Sequence, residues 1–233
     1  MKIVSFGDVH MATRNLARMH DVMRDTDLVI VSGDLTNFGD SGDAAKVIRE
    51  VRGACGRVLA LPGNLDTADV IPYLEREGVA LHGRGVMVDG VAIFGCGGSN
   101  ITPFNTPTEF SEDEIYATLV RGYSEVQNVR PLLMICHPPP FETRCDRIAG
   151  GRAVGSTAAR RFIEEFKPDA CISGHIHESA GVDTIGPTTI LNAGPFKDGV
   201  GSVSIPWDAA EVARLLASAP IRIRAGHVLG EVA

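Results

Sequence analysis

The sequence predicts an α/β protein whose parallel strands bring polar side chains to one edge of a sheet. Three strand–loop–helix units open the chain, and each strand is a short apolar run that ends in a polar loop, at 2–6, 28–32 and 57–61. Continuous apolar runs of this kind are typical of strands buried on both faces of a parallel sheet. Open α/β sheets bind ligands beyond the carboxyl ends of their strands, which is where these loops begin.

Helices are predicted after each of these strands, over 15–24, 43–51 and 68–77. The first has Leu16, Met19 and Met23 at helical spacing. Shorter strands are predicted at 79–81, 85–88 and 91–95, with a tight turn at Asp89-Gly90 between the last two. The loop over 97–107 is too long to be a plain connection, and we predict that it contacts a substrate.

The second half of the chain repeats the alternation and then changes to antiparallel strands. A capping box over 111–114 starts a helix, and a second helix follows Ser156 and stops before Pro168. The strands expected beside them lie at 132–136 and 170–173, followed by antiparallel strands at 182–185, 188–192 and 200–205. The tail is predicted to form a helix over 209–217 and a strand over 221–224. No linker or repeat divides the chain, so we expect a single domain over 1–233.

Composition narrows the classes of function. The net charge of −7 and the pI of about 5.5 argue against a broad nucleic-acid surface. The five cysteines are an odd number without a C-x-x-C pair, which favours a reducing compartment over a disulfide framework. No segment reaches the length of a membrane span, so we expect a cytoplasmic protein without a membrane partner. Whether it forms a homo-oligomer stays open.

Residues that commonly bind metals follow five of the predicted strands. Taken singly, an Asp after a strand is usually a turn residue and a strand-end His is usually structural. Their joint occurrence is what points to a site, and the seven candidates are Asp8, His10, Asp34, Asn64, His137, His175 and His177. Imidazole with carboxylate suits zinc, iron, manganese or cobalt. Seven ligands exceed what one tetrahedral ion takes, but they fit two ions that share a carboxylate.

These motifs carry a family resemblance that covers essentially the whole chain. Asp8-x-His10, Gly33-Asp34, Gly63-Asn64-x-Asp66, His137 and Gly174-His175-x-His177 resemble the calcineurin-like metallophosphoesterases in order and spacing. The segments 33–39, 97–110 and 174–179 are similar to the Icc-related predicted phosphoesterases of bacteria and archaea. The resemblance implies a two-sheet mixed β-sandwich flanked by helices, with metals at the carboxyl ends of the strands.

The resemblance also implies a ligand set and a reaction. One ion would be held by Asp8, His10 and His177, and the other by Asn64, His137 and His175, with Asp34 between them. The two divalent ions would be manganese, iron, zinc or nickel, and a bridging hydroxide would attack the phosphorus in line. Catalytic roles then fall to Asp34, Asn64 and His137, and Asp66 is expected to brace the loop or to support a ligand.

One position departs from the family pattern. The loop that reads Gly63-Asn64-Leu65-Asp66 usually carries a His where this chain has Leu65. In the family that His is taken to protonate the leaving oxygen or to hold a phosphate oxygen, and leucine can do neither. We therefore expect another acid, or substrates whose leaving group needs little help.

The sequence thus predicts a binuclear metal-dependent phosphodiesterase that acts on a small phosphodiester, with a cyclic nucleotide as one candidate. The expected substrate contacts are Asn37, Ser99, Asn100, Thr102 and Phe104. The alternatives are a phosphomonoesterase or nucleotidase, and a non-catalytic metal-binding scaffold. A nuclease is less favoured, and Arg144, Arg147 and Arg152 either bind a phosphate or form a solvated loop.

Overall fold

Two β-sheets form the centre of the molecule in a computed structural model that describes residues 1–198 and 203–206. The first sheet has the order β12-β1-β2-β3, with β1 Lys2–Phe6, β2 Leu28–Ser32, β3 Val58–Leu61 and β12 Val203–Pro206. The second has the order β10-β11-β9-β8-β5-β4, with β4 Gly85–Val88, β5 Val91–Cys96, β8 Leu132–Cys136, β9 Ala170–Ser173, β10 Gly181–Ile185 and β11 Thr188–Asn192. The short strands β6 Ser99–Asn100 and β7 Glu109–Phe110 pair with each other.

Helices cover the outer faces of both sheets. They are α1 Thr13–Arg18, α2 His20–Arg24, α3 Ser41–Ala54, α4 Val70–Arg76, α5 Glu112–Ser124 and α6 Thr157–Phe166. Side-chain caps fix where α3 and α5 begin. Asp40 accepts from the backbone of Gly42 and Asp43 at the start of α3, and Ser111 forms the predicted capping box with Glu114 at the start of α5. Among the described residues, the helices are too short or too polar to cross a bilayer.

Successive side chains of each strand point to opposite faces of its sheet, and this alternation divides the buried residues into layers. Ile3 and Ile30 of the first sheet pack in one buried cluster with Ile135 of the second, so apolar faces of the two sheets meet directly. The alternate residues Phe6 and Val31 face the other way, in a cluster with α1 to α4. A third cluster joins the outer face of the second sheet to α5 and α6. The predicted two-sheet mixed sandwich flanked by helices is therefore confirmed.

The strands that carry the candidate ligands run parallel within each sheet. β1, β2 and β3 are mutually parallel, and so are β5, β8, β9 and β11. The antiparallel strands β12, β4 and β10 lie at the edges. The carboxyl ends of neighbouring parallel strands consequently meet at a common edge of each sheet.

Three predicted elements differ in detail. The helix over 15–24 is divided at Met19 into α1 and α2. The strand expected at 79–81 is reduced to single bridges, Ala60 with Ala80 and His82 with Gly95, because this segment crosses from one sheet to the other. The strand expected at 200–205 is described over Val203–Pro206, where it pairs with β1 rather than with its sequence neighbours. The helix at 209–217 and the strand at 221–224 lie outside the described residues, and the single domain over 1–233 stays a prediction.

Candidate metal centre

The seven candidate ligands lie at the carboxyl ends of β1, β2, β3, β8 and β9, and hydrogen bonds join the loops that carry them. The backbone N–H of Asp8 donates to the carbonyl of Gly33 at 2.9 Å, which joins the first two loops. The N–H of Gly174 donates to the carbonyl of His137 at 3.0 Å, which joins the last two. Distant segments of the chain are thus brought to one polar site.

Asp8 is the centre of the first group of side chains. It is fully buried, and its Oδ1 lies 3.1 Å from His177 Nε2 and 4.0 Å from His10 Nε2. The His10 and His177 rings are 5.4 Å apart at their centroids. The backbone N–H of His175 donates to both Asp8 oxygens, at 3.2 and 3.1 Å, which fixes the carboxylate. Asp8, His10 and His177 are close enough together to bind one metal ion.

Asp34 lies between the two groups. Its Oδ2 is 3.8 Å from His10 Nε2 on one side and 3.6 Å from His137 Nε2 on the other. Asp8, Asp34 and His137 form a second set of ligand atoms close enough to bind a metal. The His175 ring lies 5.3 Å from the His137 ring, so it is next to this second group.

Two ligand orientations are set by partners outside the group. His137 Nδ1 donates to the carbonyl of Ser32 at 2.8 Å, which directs Nε2 towards Asp34. The Asn64 amide donates to Thr106 Oγ1 at 3.0 Å, and its oxygen then lies 3.4 Å from His137 Nε2. Such outer hydrogen bonds are what hold metal ligands in position. The sequence did not indicate Ser32 or Thr106, because a backbone carbonyl has no sequence signature and Thr106 lies 42 residues from Asn64.

The backbone at the centre is strained. Asp8, His10, Asp34 and His175 have φ of 54°, 45°, 46° and 65°, in the left-handed region that side chains other than glycine rarely adopt. Each such residue costs on the order of 1–3 kcal/mol and persists only where its surroundings hold it. Concentration of this strain at four candidate ligands is typical of a functional site.

Two glycines make the close approach of ligands possible. A Cβ at Gly33, whose φ is 110°, would lie 2.1 Å from His137 Nδ1. A Cβ at Gly63 would lie 2.0 Å from Asp34 Oδ1 and 2.2 Å from the Asp34 backbone nitrogen. The Gly-Asp and Gly-Asn pairs of the sequence are therefore required by packing around Asp34.

The centre combines neutral rings, an ionised carboxylate and one protonated ring. Burial opposes the charge on His137, but Asp34 overrides it and raises the pKa of His137 to about 9, so a metal ion bound there would displace a proton. Burial lowers the pKa of His175 to about 4 and also lowers that of His10, so both rings are neutral ligands at neutral pH. Burial opposes ionisation of Asp34, but the neighbouring His137 overrides it and lowers the pKa of Asp34 to about 2. His10 Nε2 is buried without a hydrogen-bond partner among the described residues. A buried nitrogen without a partner beside two carboxylates is what a metal ligand requires, so these residues fit the two ions that the resemblance implies.

Asp66 braces two of the ligand loops. Its Oδ2 accepts from the N–H groups of Leu35 and Gly63 at 3.1 and 2.8 Å, and its Oδ1 accepts from the Thr36 N–H and hydroxyl at 2.8 and 2.7 Å. Burial and the nearby Asp34 raise its pKa to about 6. Because Leu35 and Thr36 directly follow Asp34, this carboxylate joins the Asp34 loop to the Asn64 loop.

Leu65 lies beside Asn64, and its backbone serves the site. Its N–H donates to Asp34 Oδ1 at 2.8 Å, and its carbonyl accepts from the Phe38 N–H at 3.0 Å. The side chain is partly exposed and carries no proton to donate.

The predicted substrate residues occupy two loops with different exposure. Asn37 and Phe104 are exposed, whereas Ser99 is fully buried and donates to the Asn100 carbonyl. Asn100 Oδ1 is buried without a hydrogen-bond partner among the described residues. Thr102 is bonded to Glu109, which also holds Thr106. The 97–107 loop is thus anchored at Asn64, and its contact with substrate stays a prediction.

The arginine-rich loop is partly folded onto itself. Arg147 donates from Nε to the Thr143 carbonyl at 3.0 Å and from its guanidinium to the Gly151 carbonyl at 3.1 Å. Arg152 is exposed. The Arg147 side chain therefore acts first as a brace of its own loop.

The comparisons with known proteins identify the family. The model of the calcineurin-like phosphoesterases matches residues 1–179. The chain belongs to the calcineurin-like phosphoesterase family. It is similar to an uncharacterized protein of Methanocaldococcus jannaschii, with 34% identity over 203 residues that cover 84% of this chain and 88% of that protein.

Solved structures agree with the fold of this phosphoesterase. A protein of Thermus thermophilus superposes with a TM-score of 0.67 at 15% identity, covering 85% of this chain and 91% of that one. A dimetal phosphatase from Danio rerio gives a TM-score of 0.55 at 13% identity, covering 83% and 87%. At these identities the likeness establishes the fold and nothing finer.

Proposed function

We propose that this phosphoesterase is a binuclear metal-dependent phosphodiesterase that hydrolyses a small phosphodiester. The observation that carries the proposal is the position of the Asp34 carboxylate. It lies between His10 and His137, within 3.8 Å of a ring nitrogen on each side, which supports a carboxylate that two ions would share.

The proposed ligand set follows the two groups. Asp8, His10 and His177 would hold one ion, and Asn64, His137 and His175 the other, with Asp34 shared. When bound, the two divalent ions supply Lewis acidity, which lowers the pKa of water and offsets charge on phosphoryl oxygens. Manganese is the first ion to test, because imidazole, amide and carboxylate ligands all accept it.

The chain's own residues contribute position. His137 is oriented by the Ser32 carbonyl and Asn64 by Thr106, so neither side chain needs to reorganise when substrate binds. The carboxylate of Asp34 is held by the Leu65 N–H at 2.8 Å, which keeps it from rotating out of the shared position. The site is therefore built before a phosphoester arrives.

Leu65 favours a diester with a good leaving group. The residue next to Asn64 donates only its backbone N–H, and Asp34 already accepts that bond. A leaving oxygen near Leu65 receives no proton from it, so esters of acidic alcohols should react fastest. A phosphodiester also carries one negative charge fewer than a monoester dianion, which eases the approach of a nucleophile.

The free cysteines bear on the compartment. All five are buried thiols, and burial raises the pKa of Cys96 and Cys145 to about 12. Five cysteines without a disulfide fit a reducing environment, and we propose the cytoplasm as the location.

A paired substrate assay tests the proposal. Metal-loaded protein should hydrolyse bis(p-nitrophenyl) phosphate with a higher kcat/KM than p-nitrophenyl phosphate, and metal analysis should find two ions per chain. Equal or faster release of phosphate from the monoester would favour a phosphomonoesterase instead. Two bound ions without turnover of any phosphoester would favour a metal-binding scaffold.

A further inference from the structure

Phe38 is an exposed aromatic residue in a strained conformation. Its side chain is 61% exposed, and its φ of 58° lies in the left-handed region, where a bulky residue is an outlier. Exposure means that the ring gains little from burial in the fold, and the backbone carries a cost that glycine would avoid. A residue that is unfavourable on both counts calls for a reason outside stability.

The turn that carries Phe38 is rigid. Gly39 donates its N–H to Thr36 Oγ1 at 3.1 Å, and its carbonyl accepts from the Thr67 N–H and hydroxyl at 3.1 and 2.9 Å. Thr36 is itself bonded to the buried Asp66. The Phe38 ring is therefore attached to a backbone that several hydrogen bonds hold in place.

This turn is joined directly to the candidate metal centre. The Phe38 N–H donates to the Leu65 carbonyl at 3.0 Å, and the Leu65 N–H donates to Asp34 Oδ1 at 2.8 Å. One residue thus separates the Phe38 backbone from the carboxylate that the two ions would share. Leu65 is partly exposed, so its apolar side chain and the exposed ring are carried by two loops that hydrogen bond to each other next to Asp34.

Further exposed apolar side chains belong to the 97–107 loop, which is hydrogen bonded to Asn64. Ile101 and Phe104 are 71% and 80% exposed. Their loop is anchored to Asn64, because its side-chain amide donates to Thr106 and its carbonyl accepts from the Thr108 N–H at 3.1 Å. The Asn64-Leu65 segment is therefore hydrogen bonded to two loops that each carry an exposed aromatic residue, Phe38 and Phe104.

We propose that Phe38, with Leu65, is a platform that binds a planar aromatic group esterified to the substrate phosphate. The proposal rests on the phosphoesterase function proposed above and adds the chemistry of the organic group. The anionic phosphoryl end would bind at the ions that the carboxylates and imidazoles would hold, and the ring would pack on the face of Phe38. Stacking on an aromatic face accepts either an aryl ring or a nucleobase.

Binding of phosphonates tests the platform without any turnover. The metal-loaded protein is titrated in a calorimeter with phenylphosphonate and, separately, with methylphosphonate. The phenyl compound should bind more tightly. Phe38→Ala should reduce that preference about three- to tenfold, the range expected for one aromatic contact. Phe38→Tyr should keep it. Met87→Ala is the matched control, because Met87 is 49% exposed in the edge strand β4 and should leave the ratio unchanged.

Two outcomes would overturn the platform: a wild-type protein without preference for the phenyl compound, or a Phe38→Ala protein with the wild-type preference. The same titration with an adenine nucleoside phosphonate distinguishes a nucleobase from a simple aryl ring. The compound that loses more affinity in Phe38→Ala carries the group that the platform binds better. Failure to hydrolyse any phosphoester would refute the proposed function but leave this binding contrast measurable.

Phe38→Gly adds a readout that a structural role would not give. Removing the left-handed strain should keep or raise Tm while the preference for the phenyl compound is lost. A fall in Tm comparable to that of a core substitution would show that Phe38 stabilises the fold, and would contradict the proposal.

Discussion

The carboxylate of Asp66 should be the main brace of the candidate metal centre, and Asp66→Asn tests this without changing the shape of the side chain. The carboxylate accepts four hydrogen bonds of 2.7–3.1 Å, three of them from backbone N–H groups. An amide can accept at one end only. In its better orientation the new NH₂ group meets Thr36, whose hydroxyl can turn to accept, and one buried N–H is left without a partner.

The magnitude follows from these contacts. A buried N–H without a partner costs about 1–3 kcal/mol, and loss of the charge weakens the remaining bonds by about 1 kcal/mol. We therefore expect Asp66→Asn to lower the free energy of unfolding by about 2–4 kcal/mol. Urea unfolding of the metal-free protein, followed by circular dichroism, measures this without the added stability that bound metal would give.

Asp69→Asn is the matched control in the same loop. Asp69 accepts from the Ser41 N–H at 2.9 Å and from the Thr67 hydroxyl, but it is exposed. Water can therefore accept the hydrogen bond that the amide of Asp69→Asn cannot. Its substitution should change the free energy of unfolding by less than about 1 kcal/mol. If Asp66→Asn and Asp69→Asn destabilise the protein equally, the brace assigned to Asp66 is wrong.

Three further substitutions probe the centre itself. Asp34→Ala should abolish hydrolysis and remove most of the metal found after dialysis, whereas retention of both would exclude a shared carboxylate. Leu65→His should raise kcat on diesters with poor leaving groups by a factor of about 10², and it should raise kcat on diesters with good leaving groups much less. The same change in kcat on both kinds of diester would refute the general-acid argument. Gly63→Ala should reduce both activity and Tm, because its Cβ would lie 2.2 Å from the Asp34 backbone. The control Gly53→Ala in α3 has open space around its Cβ and should stabilise the helix by about 0.5–1 kcal/mol. Similar Tm values for the two variants would refute the packing argument.

The sequence predicted the positions of the strands and the residues at their ends because both signals are local. An apolar run such as 28–32 and the Gly33-Asp34 pair that follows lie within a few residues of each other. The pairing of β12 with β1 could not be predicted in this way, since Val203–Pro206 and Lys2–Phe6 are about two hundred residues apart and neither has a feature that specifies the other. The split at Met19 was missed for a related reason, because helical spacing continues through it.

The role of Asp66 shows a different limit. The family resemblance implied that Asp66 braces the loop or supports a ligand, but only the fold shows that the groups it holds are backbone N–H groups 30 and 31 residues upstream. The same holds for Phe38. Nothing in its neighbours predicts a left-handed φ, because the conformation is set by the bonds that the turn makes to Leu65 and Thr67.

Strain and bracing at the centre belong to one arrangement. Asp34 and Phe38 have left-handed backbones on either side of the Leu35–Thr36 segment, and that segment is the one that Asp66 holds. Without the brace, relaxation of either residue towards an ordinary φ would move the other, because only three residues separate them. A single buried carboxylate therefore holds the segment that joins Asp34, which two ions would share, to the turn that carries Phe38. Loss of Asp66 should consequently impair metal binding and the preference for aromatic phosphonates together, whereas loss of Phe38 should impair the preference alone.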